Sequence, residues 1–152
     1  LDPVLASTSG RALLEADAVA VIKRKLMPLC RLVTPNLIEL ALLAGAEQAV
    51  DEDDAVVQGQ DLLAAGAQAL LIKGGHASGP RSTDILLRSD REPIRVDMPR
   101  LAASLRGTGC MLASAIAAHL AKANSLEVSA REGKLFVFEK LQKKAATSNE
   151  QP

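Results

Sequence analysis

Apolar and polar positions follow two rhythms along the chain, and each change of rhythm marks an element. Leu1 to Ala6 reads as the end of a buried strand, with Pro3 barring a helix there, and Ser7-Thr8-Ser9-Gly10 as a turn. From Glu15 to Leu29, the residues Ala18, Val21, Ile22, Leu26 and Leu29 recur at helical spacing, while Lys23, Arg24 and Lys25 fall largely on the other side. Arg31 to Thr34 is a short apolar strand halted by Pro35. Asn36 then caps a helix over Leu37 to Ala44 that ends at Gly45. The acidic run Asp51 to Asp54 opens another helix, ending near Gly66, with its carboxylates at the favourable end of the dipole.

The second half begins with Ala69-Leu70-Leu71-Ile72-Lys73, a continuous apolar run ending in a lysine, as in a strand covered on both faces. After Gly74-Gly75-His76 and a polar loop, Asp84 to Arg88 and Pro93 to Asp97 read as shorter strands joined by Ser89-Asp90-Arg91. Met98 to Arg106 has little pattern and leads into Leu105-Arg106-Gly107-Thr108-Gly109-Cys110. Helices near Cys110–Lys122 and over Leu126–Leu141 follow, and residues 143–152 form a polar tail expected to be disordered. No internal repeat is present. Strands alternating with helices predict one α/β layered domain over residues 1–142 with a mostly parallel sheet.

Composition narrows the functional classes. A chain of 152 residues with 48% apolar and 24% charged residues is that of a soluble globular domain. Lys plus Arg and Asp plus Glu number 18 each, so no net field draws the chain to nucleic acid or an anionic membrane. No apolar run approaches a membrane span, and the start does not read as a signal peptide. Two cysteines, Cys30 and Cys110, argue against a disulfide framework and fit a reducing cytoplasm. With two Phe and neither Tyr nor Trp, stacking platforms for bases are nearly absent. The chain opens Leu-Asp-Pro-Val-Leu without an initiator Met, so a portion of a longer chain is expected.

Candidate chemistry gathers where strands end. In parallel α/β sheets ligands bind beyond the carboxyl ends of the strands. Asp2, Asn36, Lys73 and the Gly-Thr-Gly turn all fall at or just after such ends in this segmentation. A helix opening on Gly107-Thr108-Gly109 turns its unpaired N–H groups outward, an anion site or an ordinary tight turn. Cys110 is a thiol of lowered pKa or a small buried residue at a helix start. Lys73 is a cation beside phosphates or a lysine leaving a strand for solvent. Asn36 and Glu39 share one helix face as a cap with an acidic first turn, or as polar ligands. His119 and Cys30 read as structural, and the cysteines and histidines are too scattered for a zinc site. A cysteine phosphatase also places a thiol after glycines at a helix start, but it needs Arg at position 116, which is Ile.

Asp2-Pro3-Val4, Thr34-Pro35-Asn36-Leu37-Ile38-Glu39, Ile72-Lys73-Gly74-Gly75-His76 and Gly107-Thr108-Gly109-Cys110, in this order and spacing, resemble the ribokinase-like superfamily. Within it they are most similar to the hydroxymethylpyrimidine/phosphomethylpyrimidine kinases of thiamine biosynthesis. Cys110, where most of the superfamily carries Asp, points to that branch and to the related pyridoxal kinases. The resemblance runs from Leu1 to about Leu141. It implies a three-layer sandwich, a mostly parallel sheet flanked by helices, here lacking its N-terminal part. Family members are longer, and the missing part supplies most contacts to the pyrimidine.

The activity so implied is ATP- and Mg²⁺-dependent phosphorylation of 4-amino-5-hydroxymethyl-2-methylpyrimidine and then of its monophosphate. The alternatives are a pyridoxal kinase or a non-catalytic nucleotide-binding module. By resemblance Gly107, Thr108, Gly109 and Cys110 form the anion hole, and Cys110 is the base at the substrate hydroxyl. Lys73, Asn36, Gly75 and His76 serve ATP, Glu39 and Asp2 the metal, and Val4 the substrate through its backbone. Arg106 stands where the family commonly has His. The partners implied are the pyrimidine alcohol, ATP and a second subunit in a homodimer.

Overall fold

Connection length decides the sheet. Parallel neighbours need a crossover of about a dozen residues or more, whereas antiparallel ones close through a short turn. The computed structural model describes residues 1–5, 13–74 and 79–149. In it β1 (Leu70–Ile72), β2 (Arg81–Arg88) and β3 (Arg91–Pro99) form one sheet in that order. β1 and β2 are antiparallel, with Leu70 opposite Leu87, Leu71 opposite Leu86 and Ile72 opposite Ile85. The turn Ser89-Asp90 joins β2 to β3. This sheet is antiparallel, which corrects the mostly parallel one that the alternation of strands and helices predicts.

Among the described residues parallel pairing survives as two single bridges, Val33 with Leu70 and Asn36 with Lys73. Val33 N–H donates to Ala69 O (3.1 Å), Leu71 N–H to Val33 O (2.8 Å) and Lys73 N–H to Pro35 O (2.8 Å). Thr34 N–H reaches Leu1 O at 2.9 Å. Pro3 and Pro35 have no N–H to give, so neither expected strand extends into a ladder. Both strands of the hairpin are longer than the sequence pattern predicts, because polar ends are paired as readily as apolar middles.

The chain divides into two units. Leu1–Ala77 with Thr83–Arg95 form the first. Its first helix, α1 (Ala16–Val21), continues as a π turn over Ile22–Leu26 and a 3₁₀ turn over Met27–Leu29. Pro28 removes a ladder donor and crowds the carbonyl four residues back, and the winding changes ahead of it. α2 (Leu37–Ala44) and α3 (Glu52–Ala64) match their predicted spans closely. Asp51 caps α3 through Asp54 N–H (2.9 Å). Arg95 donates to Glu52 (2.7 Å), a hydrogen bond that raises the guanidinium pKa. Val33, Leu40, Leu43, Leu62, Leu70 and Ile72 anchor the core. Each such side chain, taken fully out of water, contributes about 1.5–3 kcal/mol.

Ser78–Ser82 with Val96–Pro152 form the second unit. Arg100 ties the strand ends by donating from its backbone to Pro80 O (2.8 Å) and from its guanidinium to Gly79 O (2.8 Å) and Arg81 O (2.9 Å). Arg81 also pairs with Asp97. α4 (Thr108–Ala121) packs on α5 (Leu126–Asn149), with Leu112, Ile116 and Ala130 buried. α5 runs past Leu141, where the sequence reading ends it, because Gln142, Lys143, Lys144, Ala145 and Ala146 are good helix formers and no Gly or Pro intervenes. Among the described residues no helix is long and apolar enough to cross a membrane.

α4 ends with Asn124 N–H on His119 O (3.3 Å), Ala123 N–H on Leu120 O (3.0 Å) and Ala123 at φ 62°. That left-handed position favours glycine. Ala123→Gly is therefore expected to gain about 0.5–1 kcal/mol, after allowing for the freer unfolded chain. A shift of the urea midpoint to higher concentration at constant m-value checks it.

Candidate functional site

In the first unit the site starts from a helix cap. Asn36 is extended and α2 follows directly, so the first-turn amides need acceptors from side chains. Glu39 N–H donates to Asn36 Oδ1 (2.9 Å), and Asn36 N–H donates back to Glu39 Oε2 (2.8 Å), a reciprocal capping box. The other oxygen, Oε1, accepts Leu5 N–H at 3.3 Å. The Glu39 carboxylate is thus buried, fixed by two amides, and held at the end of the Val33–Pro35 segment.

Lys73 enters the same place from β1, because its backbone is bridged to Asn36. Its Nζ lies 2.8 Å from Asp2 Oδ1 and 3.7 Å from Glu39 Oε2. Thr34 Oγ1 stands 3.5 Å from the same Asp2 oxygen and donates to Leu1 O at 3.3 Å. Exposures of 12% for Lys73, 15% for Asp2 and 3% for Glu39 make this a shielded cluster, not a surface ion pair. Two carboxylates face one ammonium, so the cluster carries a surplus negative charge. Such a hard-oxygen pair is the kind of donor set that could hold a hydrated divalent cation.

Asp2, Asn36, Glu39 and Lys73, four residues predicted from the sequence, are therefore brought together. Val4 adjoins them in the chain, with an exposed side chain and φ 48°. A β-branched residue held there is strained, as residues beside functional sites often are. Gly75 and His76 lie outside the described residues. Asp84, which the sequence reading passed over as a strand start, is buried and accepts Gly74 N–H at 3.0 Å. Its signal was an acid opening the otherwise apolar run Ile85-Leu86-Leu87.

The second unit holds the Gly-Thr-Gly turn. Gly107 caps α4 at φ 80°, and Met111 N–H to Gly107 O (2.9 Å) is the first bond of the helix. The amides of Thr108 and Gly109 precede it, at the positive end of the dipole. Cys110, in the first turn of α4, is an exposed residue. A groove of about 540 Å³ runs from Gly107 and Cys110 past Ser114 and Ala118 to His119, with Phe136 of α5 on its wall. His119 Nδ1 lies 3.3 Å from Asn124 Nδ2, and Cys30 Sγ lies 3.2 Å from Leu26 O. Ile116 is buried. The sequence reading also missed Lys134, a buried lysine of α5 whose Nζ is 3.4 Å from Ser82 Oγ. Its place between Ala130, Gly133 and Val137 was the available signal.

Known proteins are similar to this chain over most of its length. The family described as phosphomethylpyrimidine kinase matches residues 1–151. The hydroxymethylpyrimidine/phosphomethylpyrimidine kinase of Rhizobium meliloti is 45% identical over 123 residues, covering 80% of this chain and 46% of the relative. The Escherichia coli enzyme of the same name is 42% identical over 119 residues, covering 78% of this chain and 44% of the relative. The chain spans about half the length of the curated relatives it matches. In structure it is similar to the pyridoxal kinase from Staphylococcus aureus in complex with ADP, at TM-score 0.84 and 26% identity, over 92% of this chain and 51% of that one. It is also similar to phosphomethylpyrimidine kinase from Clostridium difficile, at TM-score 0.74 and 30% identity, over 91% of this chain and 55% of that one. Those likenesses give the chain part of the ribokinase-like kinase fold. With a match that runs nearly end to end, the chain belongs to the phosphomethylpyrimidine kinase family.

Proposed function

We propose that the chain supplies the nucleotide-binding, phosphoryl-handling half of an ATP-dependent kinase acting on 4-amino-5-hydroxymethyl-2-methylpyrimidine and then on its monophosphate. The observation that carries this reading is the shielded Lys73–Asp2–Glu39 cluster at the end of β1. Phosphoryl transfer asks the protein mainly for positioning and charge neutralisation, and this cluster and the amides opening α4 offer both. Lys73 pairs with the triphosphate, and Asn36, Gly75 and His76 are the further nucleotide-binding residues of this reading. Asp2 and Glu39 would hold hydrated Mg²⁺, which would offset the negative charge of the phosphates. The amides of Gly107 to Cys110 receive the transferred phosphoryl group. Cys110 Sγ takes the proton of the hydroxymethyl oxygen as that oxygen bonds to phosphorus and ADP leaves. Val4 contacts the substrate through its backbone. The cytoplasm is the compartment that fits a soluble metabolic kinase with two cysteines and no disulfide framework.

Titrating the 152-residue chain with MgATP is expected to give saturable but weak binding and no turnover. Adding the unmatched portion of the Rhizobium meliloti relative is expected to bring phosphorylation of the pyrimidine alcohol ahead of pyridoxal. Turnover by the chain alone overturns the placing of the substrate pocket outside it, and no nucleotide binding in either setting sinks the kinase reading. The likeness to Staphylococcus aureus pyridoxal kinase favours one second reading, a pyridoxal kinase. Faster turnover of pyridoxal in the same mixture decides for it, and binding without turnover in both settings marks a nucleotide-binding module.

A further inference from the structure

We propose that Asp84 is a positioning residue that sets Lys73 in place by holding the Gly74 amide. Lys73 is clamped on one side by Pro35 O, which accepts its N–H at 2.8 Å. On the other side the β1–β2 register, carried one step past Ile72 and Ile85, sets Asp84 opposite Lys73, and one step further sets Thr83 opposite Gly74. There the ladder changes character. A Cβ on Gly74 would come within 1.9 Å of Thr83 O, so the two backbones touch where side chains would ordinarily stand. Gly74 N–H turns to the Asp84 carboxylate at 3.0 Å. Asp84 is only 4% exposed, on a strand whose next three residues are buried and apolar. A carboxylate is buried at tolerable cost only where hydrogen bonds hold it, and one of those bonds here goes to the backbone of the residue that follows Lys73. What the carboxylate adds is a strong, directional acceptor beside the residue that carries the ammonium. It fixes where the chain leaves β1, and with it the point from which the Lys73 side chain reaches Asp2 and Glu39.

The inference rests on Lys73 being the partner of nucleotide phosphates, so the test separates the two ideas. Asp84→Val removes the acceptor with a residue suited to a buried strand. Asp84→Asn keeps an acceptor in the same place and is the rescue. Asp84→Glu keeps the charge but moves the acceptor, and replaces the valine variant if that one does not fold. MgATP affinity of the full chain is expected to fall about tenfold in Asp84→Val and to stay within about threefold in Asp84→Asn. In the Lys73→Met background the Asp84 change is expected to cost nothing further, because its effect passes through the lysine. An equal loss in both backgrounds means a general structural role and overturns the proposal. Lys73→Met binding as well as the parent instead overturns the reading of the site. A nucleotide-free measurement stands beside these. In protein labelled with ¹⁵N-lysine, the shielded, ion-paired Nζ signal of Lys73 is expected to merge with those of solvated lysines in Asp84→Val or Asp84→Glu, and to persist in Asp84→Asn. A signal unmoved in the valine or glutamate variant overturns the proposal whatever nucleotide does.

Discussion

Gly74→Ala is expected to cost about 3 kcal/mol or more, a large share of the ~5–15 kcal/mol that holds a domain together. The added carbon would lie 1.9 Å from Thr83 O, a backbone atom that cannot swing aside as a side-chain tip can. Relief requires β1 and β2 to part at their junction, and parting them loosens the Gly74–Asp84 hydrogen bond as well. Gly107→Ala is the control. It also adds one carbon, but into open space, and pays only for the left-handed backbone at φ 80°, about 1–2 kcal/mol. Urea unfolding of both variants, compared at constant m-value, checks the difference. If Gly74→Ala falls no further than Gly107→Ala, the strand junction is soft and Lys73 is not held from that side.

The same junction shows what could be read from the residues in advance. Helices α2 and α3 were legible nearly to the residue, because their caps, Asn36 and Asp51, and their stops are local chemistry. Local chemistry also marked Asn36, Glu39 and Lys73 as candidates. Strand direction was not legible, since it depends on which distant segment supplies the partner. The run Leu70–Ile72 looks the same whether its neighbour is Val33, running parallel, or Leu87, running antiparallel. Asp84 was hidden for the same reason. An amide it accepts from is ten residues away, so the acid that opens the apolar run Ile85-Leu86-Leu87 marks a position without naming a partner. The winding change before Leu29 escaped because the helical spacing of Ile22, Leu26 and Leu29 survives a π turn well enough to look regular.

Lys73→Met is expected to lower MgATP affinity by about a hundredfold, roughly 2.7 kcal/mol, and to cost about 2–3 kcal/mol of stability. The methionine fills the space but leaves the Asp2 and Glu39 carboxylates shielded with no cation between them. The stability cost stays below the ~3–5 kcal/mol of a fully buried pair because Asp2, at 15% exposure, keeps some contact with water. The double variant Asp2→Asn/Lys73→Met separates the two losses. Removing one carboxylate removes the repulsion, so stability is expected to return by about 1–2 kcal/mol while nucleotide affinity stays low. Glu39 is the poorer choice for that second change, since its oxygens also serve the Asn36 and Leu5 amides and its loss unties the start of α2. Calorimetric titration and urea unfolding of the single and double variants carry the comparison. Should affinity and stability recover together, the lysine exists to neutralise Asp2, and the anion it was thought to hold is bound elsewhere.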